Sequence, residues 1–500
     1  MICENPVIRG FYPDPSVCAA NGKFYLVNST FEYFPGMPVF ESDDLVHWKQ
    51  INNCLTRKSQ LDVQGIAASG GIYAPTIRFN KGRFYVVVTN VSNDYGNFYV
   101  YTDDIYGEWS EPVKVDRGGI DPSLLFDGDK TYFISNGADD YGVNGISLCE
   151  IDIETGKKLT EAKCISTGCG GRYLEGPHLY HINDWYYLMV AEGGTEYGHM
   201  ECMLRSKNIW GPYEACPSNP ILTNRNLGGY EIQGAGHADL VQAEDGQWFM
   251  VHLAFRQIGQ YDTFHNLGRE TYLMPVFWNE DGWPEVGADG TCRKKWELKD
   301  GKCTILDDVK YPEYKFGLEK LSSVYLRLPE YSDYKISYDS KGLADCAEIR
   351  GGKDCLGSTG QVSFVGSRQP EHNAKMAVKI HGETLALGQS AGITAYLTEK
   401  DYYYIEAERT ESGIQVKADL VLYGKVCSGK KILLTGENVQ LMISSDNYTY
   451  KLCSMDDEGN YVELNNGPVK FLSSEVACGF TGVILALYVN GSQGYVKFSW

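Results

Sequence analysis

One motif recurs five times in the first three hundred residues, and a chain that repeats a two-strand unit in this way has few means of burying its apolar faces. Each copy is a short apolar strand, a turn of Gly, Asp or Asn, and a second strand that opens on two bulky residues, mostly aromatic. The copies are DPSVCAANGKFYLV from Asp14, APTIRFNKGRFYVV from Ala74, DPSLLFDGDKTYFIS from Asp121, EGPHLYHINDWYYLMV from Glu175 and HADLVQAEDGQWFMV from His237. They lie roughly fifty to sixty residues apart, the length of a four-stranded propeller blade. Helical periodicity is hard to find in this stretch, so it reads as all-β. A five-bladed β-propeller is the expected architecture.

The repeat also places candidate chemistry. The first strand of each propeller blade lines the central channel, so equivalent residues of all blades converge on one axis. Counted from the start of each copy, those residues are Asp14, Ala74, Asp121, Glu175 and His237. Three carboxylates and a histidine from distant segments would meet in one funnel. Burial and mutual repulsion there should drive their pKa values apart, as acid–base chemistry requires. A lone Asp-Pro is usually a turn fragment. Two at equivalent repeat positions, with a Glu at a third, favour catalysis instead. Asp239, two residues after His237, is read as structural, and Glu192, near Glu175 in sequence, is assigned no chemistry.

After residue 284 the composition changes. The stretch KKWELKDGKCTILDDVKYPEYK (294–315) is charged and reads as a linker. From 316 to 500 alternating strands such as YYYIEAER, VQLMISS and GVILALYV are separated by turns rich in Gly, Asn and Asp, which points to two packed antiparallel sheets. The expected domains are a propeller over 1–305 and a β-sandwich over 316–500.

Charge and cysteine usage exclude several classes. A net charge of −20 opposes nucleic acid and anionic membrane partners, which need clustered Lys and Arg. No window is long and apolar enough for a membrane span. The 15 cysteines are scattered without a C-x-x-C pair, so zinc-ribbon and haem motifs are absent. Cys18 and Cys202 lie in apolar strands and read as small buried hydrophobes. An odd, scattered set suits a reducing compartment. The N-terminus MICENPVIRGFYPDP has no basic segment followed by an apolar one, so the expected location is cytoplasmic. A homo-oligomer is compatible with the sequence, which carries no signal for or against one.

The segments FYPDPSV, GGIYAPTI, GIDPSLLFD, EGPHLY, AEGGTEYGHM, GHADLV and LGRETYLMPV together resemble glycoside hydrolase family 43, in its β-xylosidase and α-L-arabinofuranosidase branch. That branch carries a C-terminal concanavalin-like sandwich, so the resemblance covers nearly the whole chain. It implies that Asp14 is the general base that activates water. Glu175 is then the general acid, and Asp121 orients it and keeps its pKa raised. It further implies inversion of anomeric configuration, with carboxyl groups roughly 6.5–9.5 Å apart to admit a water. Phe31 resembles an aromatic wall of the subsite for the non-reducing sugar, while Thr195 and Arg269 resemble pocket residues, Arg269 bonding sugar hydroxyls. His237 resembles a channel histidine that contacts a hydrated calcium ion in many members. Such a calcium would be structural, and no cofactor is required for the chemistry. The branch usually has Trp where this chain has Tyr73, which leaves the xylose-versus-arabinose preference open. Phe480 lies where a C-terminal aromatic enters the pocket of related xylosidases.

The resulting expectation is an exo-acting enzyme that releases xylose, and arabinose, from xylo-oligosaccharides and arabinoxylan fragments. A strict α-L-arabinofuranosidase acting on arabinoxylan side chains is the enzymatic rival. A non-catalytic sugar-binding propeller is the rival of another class, and it would have lost at least one channel carboxylate. An endo-arabinanase would need an open cleft, and the N-D-P-N nucleophile motif of retaining fructosidases is missing.

Overall fold

A computed structural model describes residues 1–500, and the chain in it is almost entirely β. Five four-stranded antiparallel sheets follow one another along the chain. Their innermost strands are Ser16–Ala20, Ile72–Asn80, Ile120–Asp127, Glu175–Ile182 and Ile232–Gln242. Each innermost strand touches the next, and the fifth touches the first, which closes the propeller ring. The second strands, such as RFYVVVTN over Arg83–Asn90, are buried on both faces because each blade packs between two others. That is why they read as unbroken apolar runs rather than alternating ones.

The five innermost strands share a kink. Asp14, Ala74, Asp121, Gly176 and His237 have φ of 51°, 43°, 53°, 57° and 50°. Three residues beyond each, the ladder runs in the same register: Val17 opposite Leu26, Ile77 opposite Val86, Leu124 opposite Phe133, Leu179 opposite Leu188 and Leu240 opposite Met250. Glu175 is therefore not the equivalent of Asp14 and Asp121, as the repeat count suggests. Gly176 is. Glu175 stands one residue earlier, where Tyr73 and Ile120 stand in their blades. The count slips because the aromatic pair of the third blade starts one step late, at Tyr132, and the turn of the fifth hairpin is longer.

The stretch expected to be a linker is partly structured. Lys295–Lys299 and Lys302–Ile305 form a hairpin, and Ile2–Glu4 pairs with its first strand to make a three-stranded sheet. The charges mislead because they occupy the outer positions. Between them Trp296 is fully buried, and its indole N–H donates to the Leu273 carbonyl at 2.9 Å. Residues 306–313 have no regular structure.

The C-terminal half is a sandwich of a nine-stranded sheet and an eight-stranded one, to which it supplies seven strands and the propeller one. The strand Ile484–Asn490 is buried on both faces. Leu485, Leu487 and Val489 face the sandwich core, and Ile484, Ala486 and Tyr488 face a second cluster with Phe11, Phe31 and Tyr33 of the propeller. The two halves also share a ladder, since Tyr33–Phe34 pairs with Val324–Leu326 at the edge of the eight-stranded sheet. Arg256 bridges them as well, fully buried between Glu270 and Glu371. No helix is long and apolar enough to cross a membrane.

Candidate active site

The kink gathers charge at one end of the channel. Asp14 is buried there, with Ser29 Oγ donating to its Oδ2 at 2.6 Å and Arg269 Nη1 donating to its Oδ1 at 2.8 Å. Ser29 Oγ in turn accepts the Ala74 N–H at 2.6 Å, tying the kinks of the first two blades together. His237 Nδ1 lies 3.9 Å from Asp14 Oδ1. Burial alone would raise the Asp14 pKa, but Arg269, His237 and the Ser29 hydrogen bond outweigh it and hold the carboxyl below its ordinary range.

Asp121 accepts the Gly176 N–H at 3.1 Å, a bond that reaches from the third kink to the fourth. Its pKa is raised, chiefly by burial, with His237 opposing and Asp14 adding to the rise. Glu175 is pushed furthest, to about 8, by burial first and then by Asp121 and Asp14. Gly176 explains how the set fits so closely. Its φ of 57° suits glycine, and a Cβ there would sit 3.2 Å from the His237 ring.

Three aromatic rings wall this end. Phe31 lies 4.9 Å from Tyr73 and 6.1 Å from Phe480, the latter nearly parallel, and Tyr73 meets Phe480 edge-on at 6.0 Å. The Tyr73 hydroxyl donates to the Ser69 carbonyl at 2.6 Å, and the Phe480 N–H donates to Ser69 Oγ at 2.8 Å. Arg269 sits against both Phe rings and donates to Thr195 Oγ1 at 3.0 Å and to the Phe480 carbonyl at 3.2 Å. Phe480 comes from the sandwich half and is 40% exposed, so it stands at the mouth of the funnel. All nine residues singled out in the sequence thus lie in one connected region.

Two participants were not singled out. Ser29 has no repeat signal, although it lies two residues before Phe31. His199 ends the AEGGTEYGH motif in which only Thr195 drew notice. Its Nδ1 bonds the Gly234 carbonyl at 3.1 Å, and its Nε2 faces Glu175 Oε1 at 4.0 Å. Burial lowers its pKa to about 3, so it is neutral beside Glu175. Deeper in the channel Asp239 is held by Arg78 at 2.7 and 3.1 Å, Ser16 at 2.5 Å and Tyr180 at 2.6 Å. With its pKa near 2, it is a saturated structural anion, in keeping with the reading from sequence.

The family model for glycosyl hydrolases family 43 matches residues 3–284, more than half the chain. The chain belongs to that family. It is a glycoside hydrolase, and a second model, the beta xylosidase C-terminal concanavalin A-like domain, matches residues 316–500. The hydrolase is 37% identical over 98% of its length to a non-reducing end alpha-L-arabinofuranosidase of Bacteroides ovatus, covering 91% of that protein. It is 34% identical over its full length to a xylosidase/arabinosidase of Butyrivibrio fibrisolvens, covering 99% of it. Among solved structures it matches a xylan beta-1,4-xylosidase from Bacillus halodurans with a TM-score of 0.87 and 30% identity, over 99% of this chain and 98% of that one.

Proposed function

We propose that this hydrolase is an inverting, exo-acting β-xylosidase with α-L-arabinofuranosidase activity, acting on xylo-oligosaccharides and arabinoxylan fragments. One observation carries the reading. Arg269 keeps Asp14 ionised while Glu175, a short way off in the same aromatic pocket, holds its proton to about pH 8. A base and an acid with opposed pKa values are what single-step glycoside hydrolysis needs. Asp14 takes a proton from a water that attacks the anomeric carbon. The bond from that carbon to the leaving oxygen breaks, and Glu175 gives its proton to that oxygen. Asp121 supports the raised Glu175 pKa by its charge and orients the strand through the Gly176 N–H. Phe480 and Phe31 cap the pocket around a terminal sugar, which favours release from the chain end.

The experiment is NMR of the first-formed product from a β-xyloside. Inversion gives α-xylose before mutarotation, and β-xylose appearing first overturns the mechanism. Tyr73 favours a second reading. Its hydroxyl is engaged with Ser69 and its ring packs on Phe31 and Phe480, so the sugar wall is built on a phenol rather than an indole. A strict arabinofuranosidase would hydrolyse the nitrophenyl arabinofuranoside and leave the xyloside intact in the same preparation.

A calcium ion in the channel belongs to the same proposal, as an auxiliary. Ca²⁺ takes six to eight oxygen ligands. Of the nearby carboxylates, Asp14 is engaged with Arg269 and Ser29 and Asp239 with Arg78, and Asp121 accepts only the Gly176 N–H. An ion beside His237 would therefore keep its own waters and supply positive charge only. EDTA should then cause partial loss of activity at most.

A further inference from the structure

In the fourth blade, next to the rung where Glu175 pairs with Ala191, two thiols and a carboxylate converge. Strands Trp185–Glu192 and Met200–Ser206 pair with Val190 opposite Cys202 and Glu192 opposite Met200, so Glu192 and Cys202 share a face. The segment 167–174 folds over that face and delivers Cys169. Ligand atoms of Cys169, Glu192 and Cys202 all lie within 4.8 Å of one another, and no other His, Cys, Asp or Glu side chains group in threes so closely.

The segment is shaped to the carboxylate. Glu192 is fully buried, and its two oxygens accept the Cys169 N–H and, at 2.6 Å, the Gly171 N–H. A Cβ on Gly168 or on Gly171 would come within 2.4 Å of a Glu192 oxygen, so only glycine lets the backbone wrap this close. These two amides are its hydrogen-bond partners, and no Lys, Arg or His pairs with it. A buried carboxylate without a cation is costly unless something positive joins it.

We propose that Cys169, Cys202 and Glu192 form a binding site for a thiophilic divalent cation of the zinc class, with a solvent molecule as fourth ligand. Two thiolates and a carboxylate are a donor set that zinc accepts. Tetrahedral Zn–S bonds of about 2.3 Å and Zn–O bonds of about 2.0 Å space the ligands roughly 3.5 Å apart. The site needs to tighten by little more than 1 Å, which rotation of the Cys169 side chain can supply, because that residue is exposed. Its exposure also gives the ion an entry path. The Asn219 amide donates to Cys169 Sγ at 3.3 Å and is itself fixed by the Met203 carbonyl at 2.9 Å, an outer partner for the thiolate. A bound ion would staple the segment 167–174 to the blade immediately before Glu175.

The test uses Co²⁺ as a spectroscopic stand-in, with Zn²⁺ as competitor, on the reduced full-length protein. The parent should show thiolate-to-cobalt charge-transfer absorption saturating at one ion per chain and displaced by Zn²⁺. Cys169→Ser, an exposed loop change that leaves the core intact, should abolish that absorption and weaken Zn²⁺ binding at least ~100-fold, beyond the loss typical of an outer-shell change. Glu192→Gln should weaken it by about 10-fold or more. Equal absorption in the parent and in Cys169→Ser would place the metal on other thiols and overturn the site. So would a parent that binds no Co²⁺ under these conditions.

Discussion

Arg269 donates to Asp14 Oδ1 at 2.8 Å, and the same guanidinium reaches the Phe480 carbonyl at 3.2 Å. One side chain therefore sets the charge of the candidate base and clamps the sandwich segment over the pocket. Four expectations follow from this arrangement and its surroundings.

Replacing the channel carboxylates should cut turnover without unfolding the chain. Asp14→Asn, Asp121→Asn and Glu175→Gln should each lower kcat by roughly 10²–10⁴-fold, the size of a general acid–base contribution. Steady-state kinetics on a nitrophenyl glycoside, with circular dichroism as the folding control, measures this. Near-normal turnover by Glu175→Gln would remove it from the mechanism.

The pH profile should carry the two opposed pKa values. The alkaline limb of kcat/KM should fall near pH 8, where Glu175 loses its proton. Its folded pKa lies above the ordinary 4.5, so from that value up to about pH 8 the unfolded chain gives up a proton that the folded one keeps, and stability falls as pH rises through this window. Glu175→Gln should accordingly raise Tm at neutral pH, by roughly 2 °C or more. Asp14 has the opposite sign. Its depressed pKa contributes stability above the ordinary carboxylate range, which is lost as pH falls through the folded value. Arg269→Gln removes the main lowering influence and should move the acid limb of kcat/KM upward. An unmoved acid limb would separate Asp14 from the profile.

Phe480→Ala should impair short substrates most. Losing its contacts with Phe31 and Tyr73 opens the mouth of the pocket, and an aromatic contact of about 1.4 kcal/mol corresponds to about 10-fold in kcat/KM. Xylobiose and longer oligosaccharides compared on one preparation decide it. An unchanged kcat/KM on xylobiose would mean that the sandwich takes no part in the site.

The two halves should unfold together. Arg256 is fully buried between Glu270 and Glu371, and Arg256→Leu would leave Glu270 buried without a cation and Glu371 with Arg9 alone. A cost of about 3–5 kcal/mol is expected for breaking such a pair. Calorimetry should show one transition in the parent and a strongly lowered Tm in the variant. Two separate transitions in the parent would argue against this coupling.

Much of this was legible in the chain, for a physical reason. Blades are local hairpins, and their turn residues and apolar strands recur at a spacing that can be counted. Five copies therefore announce five sheets and the strands that face the axis. The count failed at Glu175, because the aromatic pair it leaned on does not start at the same rung in every blade. The kink at positive φ marks true equivalence, and no residue type declares it, since Asp14, Ala74, Gly176 and His237 all adopt it. The hairpin at Lys295–Ile305 was hidden for a similar reason, its outward charges masking the inward Trp296.

The sequence by itself determined the all-β class, the five repeats, the two halves and the residue types available for chemistry, because these depend on patterns within reach along the chain. Tertiary structure alone decided which of those residues act on one another. Ser29 joins Asp14 to Ala74, His199 faces Glu175, Phe480 meets Phe31 from the far half, and Cys169 meets Cys202 across Glu192. A pKa near 8 for Glu175 and a depressed one for Asp14 arise from burial and from charges brought close by ring closure. Neither distance nor desolvation is written in local sequence; both exist only once the blades have closed around the axis.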